Sequence, residues 1–455
     1  MQKILAIAWL TWKAALRFRL FAVIAVLLVL AVVGLPLIIK DDGTASGFTQ
    51  IILTYTLSAV TVLLGISTLW LSCGTLARDI EECQIQVVAT KPVARWQIWL
   101  GKWFGIASLN AALLVLAGAC IYATLQWRAS KLPAQEQAQL RQQVLVARGS
   151  ARPANVDADI DTETEEILQK RLKQNPLTTA DVAEVRNQIR AQVKSDYELA
   201  PPGVPRGWTI DLGSAKNFLR DKPMQLRVKF NAANHNPSGT FIALWQVGDP
   251  NSTNLVQFAP MSLAPDTFHE FTIPPNLFDA NGKLTIVFLN PNNISLLFPT
   301  EDGIEVLYPE STFTINFIRA LGIIFCWLTL LSAIGLMAAS FLSFPVATFF
   351  SLAMLAMAFS GGTLAENVGL GASTPGGPAI PLSQVVMDDF YKVILTVLGL
   401  AESFSPIDAV STGRSIPWSE LGAAFVQIVL LLGGIFAVAG IVLFNRRELA
   451  TAQTQ

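Results

Sequence analysis

Long apolar runs constrain the fold of this chain more than any other feature of its sequence. A run of about 20 apolar residues is the length that crosses the roughly 30 Å hydrocarbon core of a bilayer. The chain is 52% hydrophobic and only 14% charged, whereas soluble domains average about 25% charged residues. The predicted spans are 20–39, 50–73, 103–125, 313–337, 346–361 and 418–444. The sequence therefore predicts an α-helical polytopic membrane domain with six spans.

The second and third predicted spans flank a short polar loop, residues 74–102, with an amphipathic pattern. Apolar residues recur at helical spacing from Ala77 to Val87, and charged residues fill the opposite face. This pattern predicts a short helix over about 75–90, which Pro92 ends because proline disfavours helix at the preceding residue. A loop that docks on a partner at the membrane surface takes this form, and an ordinary connecting loop does not need it.

The basic residues predict the orientation of the spans, because positive charge in short loops stays on the cytoplasmic side. In the six-span order, one side collects Lys13, Arg17, Arg19, Arg78, Lys91, Arg95, Lys102, Arg446 and Arg447. Both termini and the loop 74–102 are therefore expected in the cytoplasm, with the chain in the cell (inner) membrane. Residues 127–312 and a loop at 362–417 are expected outside. The amphipathic N-terminal segment is expected to lie on the inner leaflet.

The loop and the residues after the last span carry motifs that resemble those of a known family. An acidic stretch, a Pro-x-x-Arg turn and a Gly-Lys pair follow one another in the loop, and LFNRREL occupies 443–449. Together they resemble the first cytoplasmic loop and the chain ending of ABC-2 type transporter permeases. The loop positions that match are Arg78, Asp79, Glu81, Glu82, Pro92, Arg95, Gly101 and Lys102.

The resemblance implies a transmembrane permease subunit whose loop 74–102 contains the coupling helix. Its partners would be a nucleotide-binding ATPase subunit, which holds ATP and Mg, and a second permease copy or a related chain. This chain has no G-x-x-x-x-G-K-[ST] phosphate loop, since Gly101-Lys102 is followed by Trp103. We therefore expect no ATP hydrolysis, no catalytic residue and no cofactor in the chain itself.

A large polar insert lies between the third and fourth spans, and its two parts differ in composition and periodicity. Residues 127–205 are charged, have helical periodicity and predict a helical spacer. After the rigid run APPGVP at 200–205, the period changes to two, which predicts strands. The predicted strands are 225–230, 240–247, 269–273 and 283–290, with a hairpin turn at Asn281-Gly282. We predict a β-sandwich over 206–312 that loosely resembles jelly-roll carbohydrate-binding modules.

Aromatic and amide side chains in the predicted sandwich leave two interpretations open. Sugar-binding sandwiches present aromatics beside polar amides, and here Trp208, Trp245, Asn290 and Asn292 form such a set. Alternatively, Trp245 belongs to the core, because apolar residues alternate around it, and the asparagines form turns. The first interpretation predicts that these residues bind a ligand, and the second predicts that they have only a structural role.

Few residues offer metal or redox chemistry. The two histidines, His235 and His269, are isolated, and we expect no metal site. None of the four cysteines lies in the insert, so its core must hold without a disulfide. The net charge of −1 gives no basic field for nucleic acid.

Two functional hypotheses follow from the sequence. The first is the permease, which contacts membrane lipid, and a periplasmic or surface partner through the insert. Its mostly apolar spans favour lipidic, polymeric or amphiphilic cargo over small ions. The alternative is a membrane-anchored extracytoplasmic binding or scaffold protein whose sandwich binds a glycan or a protein.

Overall fold

A computed structural model gives the structure of the chain, which falls into two compact units. The structure describes residues 2–17, 20–39, 45–82, 93–174, 179–232, 239–248, 255–368 and 404–447. One unit is Arg148–Glu310 and is rich in β-structure; we call it the β unit. The other, the helical unit, combines the chain up to Ala147 with the chain from Ser311 onward.

The helical unit is built almost entirely from helices. In chain order they are α1 (Gln2–Arg17), α2 (Leu20–Ile38), α3 (Ala45–Glu81), α4 (Arg95–Ala129), α5 (Ala134–Gln143), α8 (Phe313–Phe341), α9 (Phe344–Val368), α10 (Pro406–Ser411), α11 (Trp418–Ala424) and α12 (Gly433–Arg446). The labels α6 and α7 are kept for two helices of the β unit. Buried aliphatic side chains from α2, α3, α4 and α8 form the main core of the helical unit.

Within the described residues, four helical segments are long and apolar enough to cross a membrane, which is consistent with a membrane protein. They are Gly47–Glu81, Arg95–Ala129, Phe313–Phe341 and Trp418–Arg446. The pair α1 and α2 gives a fifth if it counts as one span, although it bends by 68°. The predicted fifth span lies in α9, whose apolar part Phe344–Ala356 is shorter. The count of six therefore remains a prediction, and most of the predicted loop 362–417 lies outside the described residues.

The last predicted span contains a π-helical segment. Residues Phe425–Leu432 join α11 to α12 with π-helical geometry. π-Helical turns are rare and occur mostly as short bulges, frequently at functional sites. The apolar run 418–444 thus predicts the length of this element but not its change of helical geometry.

The described part of the β unit forms three sheets. Its strands are β1 (Val146–Ala151), β2 (Leu199–Ala200), β3 (Pro205–Asp211), β4 (Met224–Val228), β5 (Asn231–Ala232), β6 (Phe241–Val247), β7 (Val256–Gln257), β8 (Met261–Leu263), β9 (His269–Ile273), β10 (Lys283–Leu289), β11 (Leu296–Leu297) and β12 (Ile304–Thr312). The larger sheets have the orders β1-β12-β4-β9 and β3-β10-β6-β7, with β8 also paired to β6. The third has the order β2-β11-β5.

The four strands predicted from alternation are confirmed to within one or two residues at their ends. The turn at Asn281-Gly282 exists, since Gly282 has φ +86° and its N–H bonds to Asp279 O at 3.0 Å. It does not close a hairpin, however. The strand before it, β9, pairs with β4, whereas β10 pairs with β3 and β6. The turn therefore carries the chain from one sheet to another.

The first part of the insert is not a separate spacer. The strands β1 and β2 lie in the predicted spacer 127–205 and pair into the sheets. Between them, α6 (Asp157–Gln174) and α7 (Thr179–Glu198) pack on each other through a small apolar core. The β-structure thus begins near residue 146 rather than 206, and the helical pair is an insertion within it.

Candidate functional site: a charged cluster where five helices end

The described residues of the polar loop lie at the end of α3 and in the first turns of α4. Arg78, Asp79 and Glu81 lie in the last turn of α3, and Arg95 is the first residue of α4. The helix α4 begins at Arg95, before residue 103, where the third span was predicted to start. The predicted separate helix over 75–90 is wrong in its first half, because Thr75–Glu81 continues α3 without a break. Residues 83–92, including Pro92, lie outside the described residues.

Lys102 joins α4 to α3 by an ion pair. Its Nζ lies 2.5 Å from Asp79 Oδ2 and donates to Thr75 O at 2.7 Å. Lys102 is 7% exposed, whereas about a third of the Asp79 side chain reaches solvent. A buried ammonium is costly unless a carboxylate and hydrogen bonds compensate it. Both are present here, so the pair fixes these two helices relative to each other.

Glu81 and Arg78 connect α3 to the start of α9. The Phe344 N–H donates to Glu81 Oε1 at 2.9 Å. The first N–H groups of a helix have no partner within the helix. A carboxylate there accepts from one of them and interacts favourably with the positive end of the helix dipole. The Arg78 guanidinium lies 4.5 Å from the centre of the Phe344 ring, a cation–π contact. Glu82 follows α3 directly, and its side chain is exposed.

Arg95 connects the start of α4 to the end of α12. One terminal nitrogen, NH1, donates to the carbonyl oxygens of Phe444, Asn445 and Arg447, each at 2.9 Å. The last carbonyls of a helix lack partners within the helix, and a cation there complements the negative end of the dipole. Arg447 in turn lies 3.4 Å from Ala339 O and Ser340 O near the end of α8. We call the side chains of Arg78, Asp79, Glu81, Arg95, Lys102 and Arg447 the helix-end cluster.

Gly101 has a packing role that the loop motif does not reveal. A Cβ at Gly101 would lie 2.7 Å from Ile7 Cβ, and one at Gly105 would lie 2.8 Å from Thr11 Cβ. Trp12 Nε1 also donates to Ser108 Oγ at 2.7 Å. These small residues let α1 approach α4 closely, as small residues four apart do in membrane helices. The spacing Gly101-x-x-x-Gly105 is the sequence signal for this contact.

The second predicted set does not form an exposed platform. Trp245 is 1% exposed, and its ring packs against Phe288 and Phe298 with centroids 4.8 and 5.8 Å away. Asn290 is fully buried and donates to Ala200 O and Ile294 O, each at 2.9 Å. Trp245 and Asn290 therefore belong to the core, which favours the structural interpretation.

The two other members of that set are also used within the fold. Trp208 is half-buried, with its ring centroid 5.2 Å from that of Phe298. Asn292 bonds both backbone groups of Ile242, accepting from the N–H at 3.0 Å and donating to the carbonyl at 2.7 Å. These contacts join strand ends and turns. They leave no row of aromatic faces beside free amides.

A row of charged side chains on the four-stranded sheet went unnoticed in the sequence. Arg148 donates to Glu270 Oε2 at 2.8 Å, and Arg152 lies 3.3 Å from Glu305. Arg227 lies between the two carboxylates, 3.8 Å from Glu270 and 3.7 Å from Glu305. The alternation of polar residues along β4 was the available signal, although it does not identify the partners on other strands.

Metal-binding chemistry is not apparent in the described part of the chain. No group of three or more His, Cys, Asp or Glu side chains gathers there. His269 Nε2 lies 2.8 Å from Ala264 O and 3.0 Å from Thr267 Oγ1, and His235 lies outside the described residues. Cys73 and Cys326 are buried as free thiols.

Comparison with known proteins adds no family to these observations. A scan against models of protein families found no match, and searches of curated proteins and of solved structures found no significant relative. The geometry of the chain's own residues is therefore the basis for any functional proposal.

Proposed function

We propose that this chain is the membrane permease subunit of an ATP-binding-cassette transporter, driven by ATP that a separate subunit hydrolyses. The observation that carries the proposal is the helix-end cluster. It connects the ends of α3, α4, α8, α9 and α12 by side chains on both sides of the segment 83–92. A push on that segment would reach five helices through charged contacts. The resemblance of the loop and of LFNRREL to ABC-2 permeases supports the same function.

In this mechanism, closure of the partner ATPases moves the segment 83–92. Arg95 passes the movement to the end of the last span through its three carbonyl contacts. Glu81 passes it to the start of α9. The pair Lys102–Asp79 keeps α3 and α4 moving together. The spans then rearrange around a pathway formed with a second copy of the chain or with a related chain.

The proposed orientation places the helix-end cluster in the cytoplasm and the β unit outside. In this arrangement α2 and α9 complete a set of six spans in the inner membrane. The positive residues at the helix ends support this orientation, because such residues stay on the cytoplasmic side. The described helices present mostly apolar side chains, so we propose a lipidic, polymeric or amphiphilic cargo.

Capture of the partner tests the proposal. A photo-crosslinking residue at Gln86 should trap an ATPase in native membranes, and the same residue at Asn251 in the β unit should not. The full-length chain purified in mild detergent should also carry that ATPase with it. Recovery of no nucleotide-binding protein from either experiment contradicts the permease and favours a membrane-anchored binding protein.

Labelling tests the orientation separately. In a chain whose native cysteines are replaced, single cysteines at Gln86 and at Asn251 are exposed to an impermeant reagent in intact spheroplasts. We expect labelling at Asn251 and none at Gln86. The reverse pattern contradicts both the orientation and the permease.

A further inference from the structure

A cavity in the helical unit opens where α4 ends and α8 begins. Its volume is about 340 Å³. Its polar lining consists of Gln126, Arg141, Ser311, Thr312 and Thr314. A water molecule occupies about 30 Å³ in the liquid, so the cavity has room for a polar group larger than a few waters.

The chemistry of this lining suits an anion. Arg141 lies in the last turn of α5 with its side chain exposed. No carboxylate in the described ranges forms an ion pair with it, whereas four arginines of the β unit, Arg148, Arg152, Arg186 and Arg227, lie beside glutamates. Three hydroxyl groups and one amide line the same cavity, and the Thr314 hydroxyl lies 3.0 Å from the Tyr122 hydroxyl. A guanidinium among neutral donors is the arrangement that binds phosphate oxygens.

The surroundings of the cavity are those of a membrane interface. At the end of α4, Trp127 is 60% exposed, and Lys131 Nζ lies 3.6 Å from the centre of its ring. Aromatic and cationic side chains concentrate at the level of lipid headgroups. In the first two turns of α8, Ile315 and Ile318 expose aliphatic surface, and Ile318 is 57% exposed. The cavity thus lies between a polar rim and an apolar helix surface.

We propose that this cavity binds the phosphate of an anionic phospholipid, with its acyl chains beside the exposed Ile315 and Ile318 at the start of α8. Arg141 supplies the positive charge, and Gln126, Thr312 and Thr314 supply hydrogen bonds. The proposal rests only on the helical unit lying in a membrane. It is independent of the proposed transport function.

The test measures retained lipid and thermal stability of the full-length protein. Native mass spectrometry follows release from nanodiscs of phosphatidylglycerol or of phosphatidylcholine. We expect each chain to retain one phosphatidylglycerol tightly and to have a higher Tm in phosphatidylglycerol than in phosphatidylcholine. Arg141→Gln should reduce its retention about tenfold or more, because it removes the positive charge and the charge-assisted hydrogen bonds to the phosphate. Lys131→Gln, which removes a neighbouring cation that does not line the cavity, is the matched control and should retain the lipid.

Three results would overturn the proposal. The first is equal lipid loss in Arg141→Gln and Lys131→Gln, which indicates general surface attraction. The second is the absence of retained phosphatidylglycerol in the wild-type protein. The third is a Tm increase with inorganic phosphate alone that matches the increase with lipid, which indicates a site for a free anion. Arg141→Lys keeps the charge and should show an intermediate loss.

Discussion

Two arginines of the helical unit and two of the β unit have different kinds of partner. In the helical unit, Arg95 and Arg319 donate to backbone carbonyls, Arg95 at the end of α12 and Arg319 to Ile416 O at 2.7 Å. In the β unit, Arg148 and Arg227 lie beside glutamates on neighbouring strands. In a sheet, most strand carbonyls accept hydrogen bonds from neighbouring strands. The last carbonyls of a helix have no such partner within the helix. A helix end can therefore hold an arginine by its free carbonyls, whereas Arg148 and Arg227 in the sheet lie beside carboxylates.

The two units also fill their cores differently. Four aromatic rings, those of Trp245, Phe288, Phe298 and Phe271, meet inside the β unit. In the helical unit, glycines permit close helix approach, as at Gly335, where a Cβ would lie 1.9 Å from Ser72 Oγ. Large truncations should therefore damage the β unit most, and small additions should damage the helical unit most.

The largest expected effect is the loss of Trp245 from the β unit. We expect the fragment Arg148–Glu310 to fold alone as a unit with its own core. Trp245→Ala should lower its free energy of unfolding by about 3–5 kcal/mol, the cost of truncating a buried aromatic. Urea denaturation followed by circular dichroism measures this change. The half-buried Trp208→Ala is the control and should cost less.

An unchanged midpoint in Trp245→Ala, together with lost binding to a glycan array, would contradict the core assignment. Trp245 would then act as the ligand platform of the alternative hypothesis.

Breaking the pair Lys102–Asp79 should have the next largest effect. Asp79→Asn leaves the buried Lys102 ammonium without its carboxylate, and removing one partner of a buried pair costs about 3–5 kcal/mol. We expect about half of that, because a third of the Asp79 side chain is exposed. Lys102→Met removes the buried charge itself and should cost less. Thermal unfolding of the full chain in detergent compares the two, and a smaller loss for Asp79→Asn would contradict the structural role of the pair.

Adding one methyl group at Gly335 should destabilise the helical unit by about 1–3 kcal/mol, as overpacking does. The matched control is Gly434→Ala, since a Cβ at Gly434 meets nothing within 4 Å. Alanine is preferred over glycine in helices by about 1 kcal/mol, so the control should be neutral or stabilising. Equal Tm values for the two variants would show that α3 and α8 do not approach as closely as described.

The smallest expected effect lies on the surface of the α6–α7 pair. Glu165 accepts from Arg186 Nε at 2.6 Å, and both side chains are about half exposed. Exposed pairs contribute about 0.2–1 kcal/mol and weaken with salt. Glu165→Gln in the fragment Arg148–Glu310 should therefore shift the urea midpoint only slightly, and less so in high salt. A loss as large as that of Trp245→Ala would mean that the surface pair organises the fold.

Much of the architecture was predictable because it follows from local pattern. Alternation placed β4, β6, β9 and β10, and apolar runs placed α3, α4 and α8. The links between distant segments were not predictable. Nothing in the sequence near Arg95 indicates that it bonds to Phe444, some 350 residues later. β1 is short and lies next to charged helical segments, so the sequence did not indicate a strand there. The predicted start of the β-structure, residue 206, is therefore too far along the chain.

The sequence predicted which residues form the candidate site, but it did not predict which groups they contact. The loop residues were assigned to a docking surface, yet Asp79, Glu81 and Lys102 bond within the helical unit. A charged residue in an amphipathic segment fits a docking surface and an internal ion pair equally well, because the sequence does not show which partner the side chain faces. In the β unit, Trp245 has an alternating environment that fits core and platform alike, and its burial distinguishes them.

ATP turnover by the purified complex tests the central claim most directly. Arg95→Ala removes the three carbonyl contacts that join α4 to α12, while the segment 83–92 keeps its sequence for the partner. We expect the variant to assemble with the ATPase but cargo no longer to stimulate ATP hydrolysis. Arg186→Ala in the β unit is the control and should behave as wild type. Full cargo-stimulated turnover in a folded, assembled Arg95→Ala complex would contradict the role of the helix-end cluster in coupling.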